Sequence, residues 1–265
     1  SLWMILIGAK VYGISDVIYE NNILFKLIKK KLQRTILLDV SDYKKFTQNI
    51  AIIKPDFIFH LAAQSIVSKS YDQPLKTIMS NTMGTINLLD FLCQYKSKCT
   101  CILVTSDKCY KNFELNRGYK ENDMLGGKDL YSASKAMAEI AFSAYYGSKL
   151  IKNKNLKIAS ARAGNVIGGN DWNKDRIIPD LIKSSLYKKI LNLRNPRSTR
   201  PWQFVLEPIG GYISLAIKLN TQSTSNGQSY NFGPSKKSNI DVEDVVKEFQ
   251  KYFVDLKYKA NNTNS

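Results

Sequence analysis

Short apolar runs alternate along the chain with longer stretches in which apolar residues recur every three or four positions. "KVYGI" (Lys10–Ile14), "TILLDV" (Thr35–Val40), "FIFHLAA" (Phe57–Ala63), "CILVTS" (Cys101–Ser106) and "LKIASARAG" (Leu156–Gly164) predict strands. Ser41–Ile53, Pro74–Tyr95 and Leu130–Ser148 predict the helices between them. This order is the signature of an α/β fold with a doubly wound parallel sheet. Such sheets bind ligands beyond the carboxyl ends of their strands, so polar residues at strand ends are the ones to weigh.

After about residue 165 the texture changes. "GNVIGGNDWNKDR" and "LRNPRSTRPWQFVLEP" read as loops on either side of a helix at Ile177–Lys189. A helix at Pro208–Leu219, a short strand "SYNF" and a helix at Val242–Phe253 follow, and the tail "KANNTNS" reads as polar and frayed. The organisation expected is a Rossmann-like domain over 1–164 and a smaller substrate lobe over 165–265, partly interleaved.

The opening "SLWMILIGAK" admits three readings: a signal peptide, a first strand, or a helix. A signal peptide calls for a basic segment before the apolar run and a small-residue cleavage site after it, and neither is present. The run directly precedes a strand, where the first helix of a dinucleotide-binding βαβ unit stands. That helix should follow a strand and a glycine-rich turn, so the expectation is a chain incomplete at its N-terminus, with first strand and glycine loop missing. No apolar run is long enough for a membrane span.

Lys and Arg outnumber Asp and Glu by 39 to 22, a formal charge of +17. "KLIKKKLQR" (Lys26–Arg34) is the densest basic run. The other basic residues are scattered and no nucleic-acid motif accompanies them, so a solvated helix face is favoured and no nucleic-acid partner is expected. The surplus would still attract an anionic substrate. The four cysteines form no CxxC, and with a single His no metal site is expected; the reading is a reduced, cytoplasmic protein.

Two strand-end stretches carry the chemistry. "VTSDKCY" presents Thr105, Ser106, Asp107 and Lys108, and "YSASK" opens a helix with Tyr131 and Lys135. Residues four apart share a helix face, so the ammonium can lie near the phenol. A nearby cation favours phenolate and makes a tyrosine a possible base. A second YxxxK pair, Tyr145 and Lys149, lies deep in the same helix and reads as packing or surface. His60 sits inside a strand and reads as structural. Asp39 ends a strand; an acceptor for an adenine amino group and a plain turn residue are both open.

These residues, with "NTMGTINLLD", "RAGNVIGGNDWNKDRIIPD" and "RNPRSTRPWQFVLEP", are those on which the chain resembles the extended short-chain dehydrogenase/reductase superfamily and, within it, the CDP-glucose 4,6-dehydratase family. Sister dehydratases acting on dTDP-glucose carry an acidic residue where this chain has Lys108. The family continues past residue 265, which adds a missing C-terminal part to the expectation.

The resemblance implies bound NAD and the substrate CDP-glucose. The sugar is oxidised at C4, loses water across C5 and C6, and is reduced at C6. Tyr131 is implied as base with Lys135 beside it, Ser106 on the C4 oxygen, Lys108 as the C5 base and Asp107 as the acid at C6. Lys108 acts only when neutral, which calls for burial and neighbouring positive charge; Asp107 acts only when protonated, which calls for an apolar site. Asp39 and Val40 are implied at adenine. Leu61, Ala62, Ala63, Gln64, Asn81 and Thr105 are implied along the cofactor, and Asn165, Arg176, Arg194 and Arg200 at the nucleotide diphosphate, which suits the planar arginine fork. NAD and NADP stay open from the residues, because Ser15 stands where many relatives have an acid and Asp16 follows it; the resemblance favours NAD. A homodimer through the long helices is implied. The rivals are another nucleotide-sugar epimerase or reductase, against which Asp107–Lys108 argues, and a basic, non-catalytic binding protein.

Overall fold

The structure is a computed structural model that describes residues 1–18, 22–173, 175–235 and 239–260. The chain divides into two compact units, one of Ser1–Arg162 with Gly211–Asn231, the other of Ala163–Gly210 with Phe232–Ser265.

The first unit opens with α1 (Leu2–Leu6), β1 (Tyr12–Ser15), α2 (Ile23–Lys29), β2 (Arg34–Leu37) and α3 (Tyr43–Ile53). It continues through β3 (Phe57–His60), α4 (Val67–Asp72), α5 (Pro74–Ile78), a π-helical turn (Met79–Met83), α6 (Gly84–Gln94) and β4 (Cys99–Val104). The helix α7 (Leu130–Ser148) and β5 (Leu156–Ala163) complete the βαβ series. Beyond them lie β6 (Asn165–Ile167), α8 (Ile177–Leu186), β7 (Leu191–Leu193), β8 (Thr199–Phe204), α9 (Leu206–Thr221), β9 (Ser229–Phe232), β10 (Asn239–Asp241), α10 (Val242–Gln250) and β11 (Tyr258–Ala260).

The parallel sheet expected as one piece stands as two ladders, β1–β2 and β3–β4–β5–β9. In a doubly wound sheet the first strand lies between these two groups, and no described residue takes that place. β4 and β5 are buried almost throughout, as parallel strands covered on both faces must be. Leu88, Leu89 and Leu92 of α6, Phe142 of α7 and Phe46 and Ile50 of α3 pack with them into the main core. Gly84 is required where α6 meets β2's exit: a Cβ there would stand 2.6 Å from Val40 Cγ2.

Three strands end earlier than the apolar runs, each where a polar side chain takes over the backbone. β2 stops at Leu37 and not Val40, because Asp39 Oδ1 accepts the Ser41 N–H at 2.8 Å. β3 stops at His60 and not Ala63, because Asn81 binds the backbone of Gln64. β4 runs Cys99–Val104, and Ser106 caps a 3₁₀ turn over Asp107–Cys109. The predicted helix Pro74–Tyr95 is interrupted by the π turn that carries Asn81, a device common at functional sites. Leu130–Ser148 matches its prediction end to end; Asp129 caps it by accepting the Ser132 N–H.

In the second unit β10–β8–β6 form one sheet and β11–β7 another. "LRNPRSTRPWQFVLEP" is therefore not a loop: it starts on the last residue of β7, holds all of β8 and runs into α9, the strand disguised by Pro201 and the charged residues before it. Leu181, Leu191, Leu193, Val246 and Leu256 form this unit's own core. The tail begins inside β11, and its last part, 261–265, lies outside the described residues. All four cysteines are free thiols. Among the described residues no helix is long and apolar enough to cross a membrane.

Candidate active site

The first unit gathers Ser106, Asp107, Lys108, Tyr131 and Lys135 where β4 ends and α7 begins. Ser106, 5% exposed, donates to Asp107 Oδ1 at 3.1 Å and accepts the Lys108 N–H at 3.3 Å. Lys108 Nζ lies 3.3 Å from the same carboxylate oxygen. Both side chains are about a third exposed (35% and 34%), so the deep burial expected of Lys108 is not what the chain provides. The reason is local: the 3₁₀ turn carries both residues past the end of the sheet, where each is the other's charged partner.

Tyr131 and Lys135 are buried in α7's first turns. Gly127 lets the preceding loop close on them, since a Cβ there would stand 2.5 Å from the Ala133 nitrogen. Burial lowers the Lys135 ammonium to about 8, against the opposing pull of Glu139 and Cys109. The ammonium thus begins to lose its proton just above neutrality. His60 is held down to about 4, first by burial and then by Lys135. It stays neutral, with Thr85 Oγ1 3.4 Å from its Nε2, which is the structural role read from its position. Tyr145 of the second YxxxK pair packs partly against the core.

The residues expected along the cofactor follow β2 (Asp39, Val40), β3 (Leu61 to Gln64) and β4 (Thr105) or sit in the π turn (Asn81), and they divide by role. Asp39 is exposed, and one of its oxygens accepts the Ser41 N–H. Val40 is a core side chain whose carbonyl accepts from Asn87 Nδ2. Leu61 is exposed beyond β3. Asn81 is 1% exposed and works as a clamp: it accepts the Gln64 N–H at 2.7 Å and donates to the Gln64 carbonyl at 3.0 Å and Ser134 Oγ at 2.9 Å. It ties the 61–64 segment to α7. Ser15 ends β1 and spends its hydroxyl on the Val17 carbonyl.

Asn165, Arg176, Arg194 and Arg200 are all in the second unit, where they line one cavity of about 280 Å³ with Trp202 and Asp180. Arg176 Nε is 3.4 Å from Asp171, and Arg194 Nη2 is 3.0 Å from Asp175. Arg200 Nη1 donates to the Thr199 carbonyl and enters no ion pair among the described residues. Burial raises the Asp180 carboxyl above its usual range.

Sequence reasoning missed the buried Glu139–Arg162 pair, with Nη2 2.6 Å from Oε2. Two signals pointed to it. Glu139 continues the Tyr131–Lys135 face one turn further, and Arg162 is a charge inside an apolar strand, tolerated only when paired.

The family model for GDP-mannose 4,6 dehydratase matches residues 3–263. A CDP-glucose 4,6-dehydratase of Salmonella typhimurium is 41% identical over 93% of this chain and 70% of its own length. A UDP-glucose 4-epimerase of Mycoplasma genitalium is 27% identical over 86% of this chain and 71% of its own. Among solved structures, a UDP-glucose 4-epimerase of Thermotoga maritima superposes with a TM-score of 0.82 at 16% identity, covering 99% of this chain and 81% of that one. A dTDP-glucose 4,6-dehydratase of Streptomyces venezuelae, solved with NAD bound, superposes with a TM-score of 0.79 at 18% identity, covering 100% and 81%. The two structures establish the α/β Rossmann-like fold.

Proposed function

The chain belongs to the GDP-mannose 4,6 dehydratase family, and on that premise we propose that it is an NAD-dependent hydro-lyase converting CDP-glucose to CDP-4-dehydro-6-deoxyglucose. The observation that carries the reading is the Asp107–Lys108 pair on the turn that follows β4, in the same unit as the buried Tyr131 and Lys135. An epimerase or reductase needs the second pair and has no use for the first.

The donor set suits a nicotinamide dinucleotide at its two ends: Asp39 can accept from an amino group, Leu61 offers an apolar face, and Tyr131 and Lys135 can hold a ribose. A glycine turn for the pyrophosphate is not among the described residues. Asp39, Leu61, Tyr131 and Lys135 would hold such a dinucleotide, which would supply the hydride acceptor for C4 and the hydride donor for C6.

Tyr131 takes the proton of the C4 hydroxyl, with the Lys135 charge favouring its phenolate and Ser106 hydrogen-bonding the same oxygen. The resulting ketone makes the C5 proton acidic. Lys108 Nζ removes that proton while Asp107 delivers one to the C6 hydroxyl, which leaves as water; the C5–C6 double bond forms as the C6–O bond breaks. This requires a neutral amine beside a protonated acid. The ion pair seen at 3.3 Å carries the same total number of protons, so one proton moved from Nζ to Oδ1 arms it. After elimination the pair has returned to its charged form; the Lys108 ammonium then gives a proton back to C5 as C6 is reduced, and the proton Tyr131 took from the C4 hydroxyl restores the pair's proton count. Exclusion of water by bound substrate favours the neutral form, because both charges lose solvation together.

Arg176, Arg194 and Arg200 hold the diphosphate in the second unit's cavity. The four free thiols suit a reducing cytoplasm. A homodimer forms through α7, where Met137 and Ile140 are exposed apolar residues. Incubation with CDP-glucose and NAD, followed by mass spectrometry, tests the activity: a product lighter by one water is expected. An unchanged mass, or a C4 epimer of equal mass, would overturn the reading.

A further inference from the structure

Glu139 has no exposed side-chain surface, and four donors converge on it. The Thr105 hydroxyl donates to Oε1. Arg162 Nη2 at 2.6 Å, Ser160 Oγ at 2.9 Å and Ser229 Oγ at 3.1 Å donate to Oε2. Arg162, 4% exposed, uses Nη1 on the Tyr110 phenol oxygen at 2.7 Å and on the Glu121 carbonyl at 2.9 Å. Its guanidinium lies 5.1 Å from the Tyr110 ring centre. Tyr110 in turn donates to Asn231 Oδ1 at 2.7 Å. Arg162 Nε is buried without a partner.

Thr105 and Tyr110 bracket the segment Ser106–Asp107–Lys108–Cys109. Glu139 holds the first directly and the second through Arg162. Glu139 also lies one turn beyond Lys135 and two beyond Tyr131 on α7. One carboxylate therefore grips both ends of the acid–base turn from the helix that carries the Tyr–Lys pair. A buried ion pair is a poor device for stability alone, since apolar residues of similar volume often serve as well. Its orphaned Nε fits the same view: the guanidinium is aimed by its two Nη groups.

Resting on the dehydratase reading, we propose that Glu139, Arg162 and Tyr110 are positioning residues that fix the register between α7 and the Asp107–Lys108 turn. C4 oxidation is carried by Tyr131 and Lys135 of α7, with Ser106 adding one hydrogen bond to the C4 oxygen. Elimination needs Asp107 and Lys108 placed at C6 and C5 of a sugar already held by Tyr131. A loosened clamp should therefore slow water loss and spare oxidation.

Tyr110→Phe keeps the ring over Arg162 and removes only the hydroxyl link. In the free protein, amide hydrogen exchange should accelerate within Thr105–Tyr110 and not in the core of β4. With CDP-glucose, kcat should fall about tenfold with little change in KM, and NADH absorbance should build up as oxidised sugar waits for elimination. In Glu139→Gln the alkaline limb set by Lys135 should move to lower pH, because Glu139 is the carboxylate that raises it. Among the described residues, His60 from β3 and Cys109 from the turn also act electrostatically with Lys135. Unchanged exchange and kcat in Tyr110→Phe, or equal loss of oxidation and elimination, would overturn the proposal. Exchange is read without substrate, so a wild-type chain inert toward CDP-glucose would sink the dehydratase reading and leave the clamp separately tested.

Discussion

In the first unit, the Glu139–Arg162 pair is buried and its carboxylate is fully committed. Glu139 and Arg162 are 0% and 4% exposed, and each of the carboxylate's oxygens is already occupied. In the second unit the arginines around the cavity are open: Arg194 is 66% exposed and leans on one aspartate, and Arg176 is 37% exposed and leans on another. The first arrangement fixes geometry before anything binds. The second offers partners that an incoming diphosphate can take over, since an exposed ion pair is worth little and yields readily. Chemistry that depends on placement sits on the rigid scaffold, while recognition of a flexible polyanion is left to side chains that can exchange partners.

The comparison is broken most severely at Asp107. Asp107→Asn should lower the rate of water loss about 10³-fold while C4 oxidation survives, seen as stoichiometric NADH formation without dehydrated product. Loss of both half-reactions would mean that the turn supports binding and not acid catalysis.

The buried region should also betray itself in acid. His60 titrates near 4 when folded, below the ordinary 6.5, so the unfolded chain takes up the proton first. Its contribution is complete above about pH 6.5 and is lost as pH falls toward 4, on the order of 3 kcal/mol over the window. Thermal melts across that range should show the fall in wild type and a flatter profile in His60→Gln.

Smaller effects sharpen the other side. Arg200→Ala should raise KM for CDP-glucose about tenfold without moving the melting temperature, because Arg200 has no carboxylate partner among the described residues to give up. Arg194→Ala should raise KM only about threefold, its charge being already balanced by Asp175 and exposed to solvent. Equal effects would show that the cavity is as preorganised as the turn.

The sequence exposed what periodicity and local chemistry encode. α7 was legible from Leu130 to Ser148 because its apolar spacing is that of a helix, and the Asp129 cap fixes the same start. Asp107 and Lys108 were legible as candidates because they follow an apolar strand run. Strand ends were not, because Asp39, Asn81 and Ser106 redirect the backbone through contacts that apolar patterning does not register. β7 and β8 were hidden by Pro201 and flanking arginines, their partners coming from β11, β10 and β6. That Asn81, expected along the cofactor, also clamps Gln64 to α7 was not legible, because the π turn is what points it inward. The Glu139 network joins residues from Thr105 to Ser229, beyond the reach of any local motif.

The central claim is an oxidation and a reduction within one sugar, coupled to loss of water. The direct measurement uses CDP-glucose carrying deuterium at C4, turned over by the wild-type chain with NAD. The account predicts a 4-keto-6-deoxy product with the deuterium at C6. A product with no deuterium at C6, the label having been lost to solvent or left at C4, would contradict it.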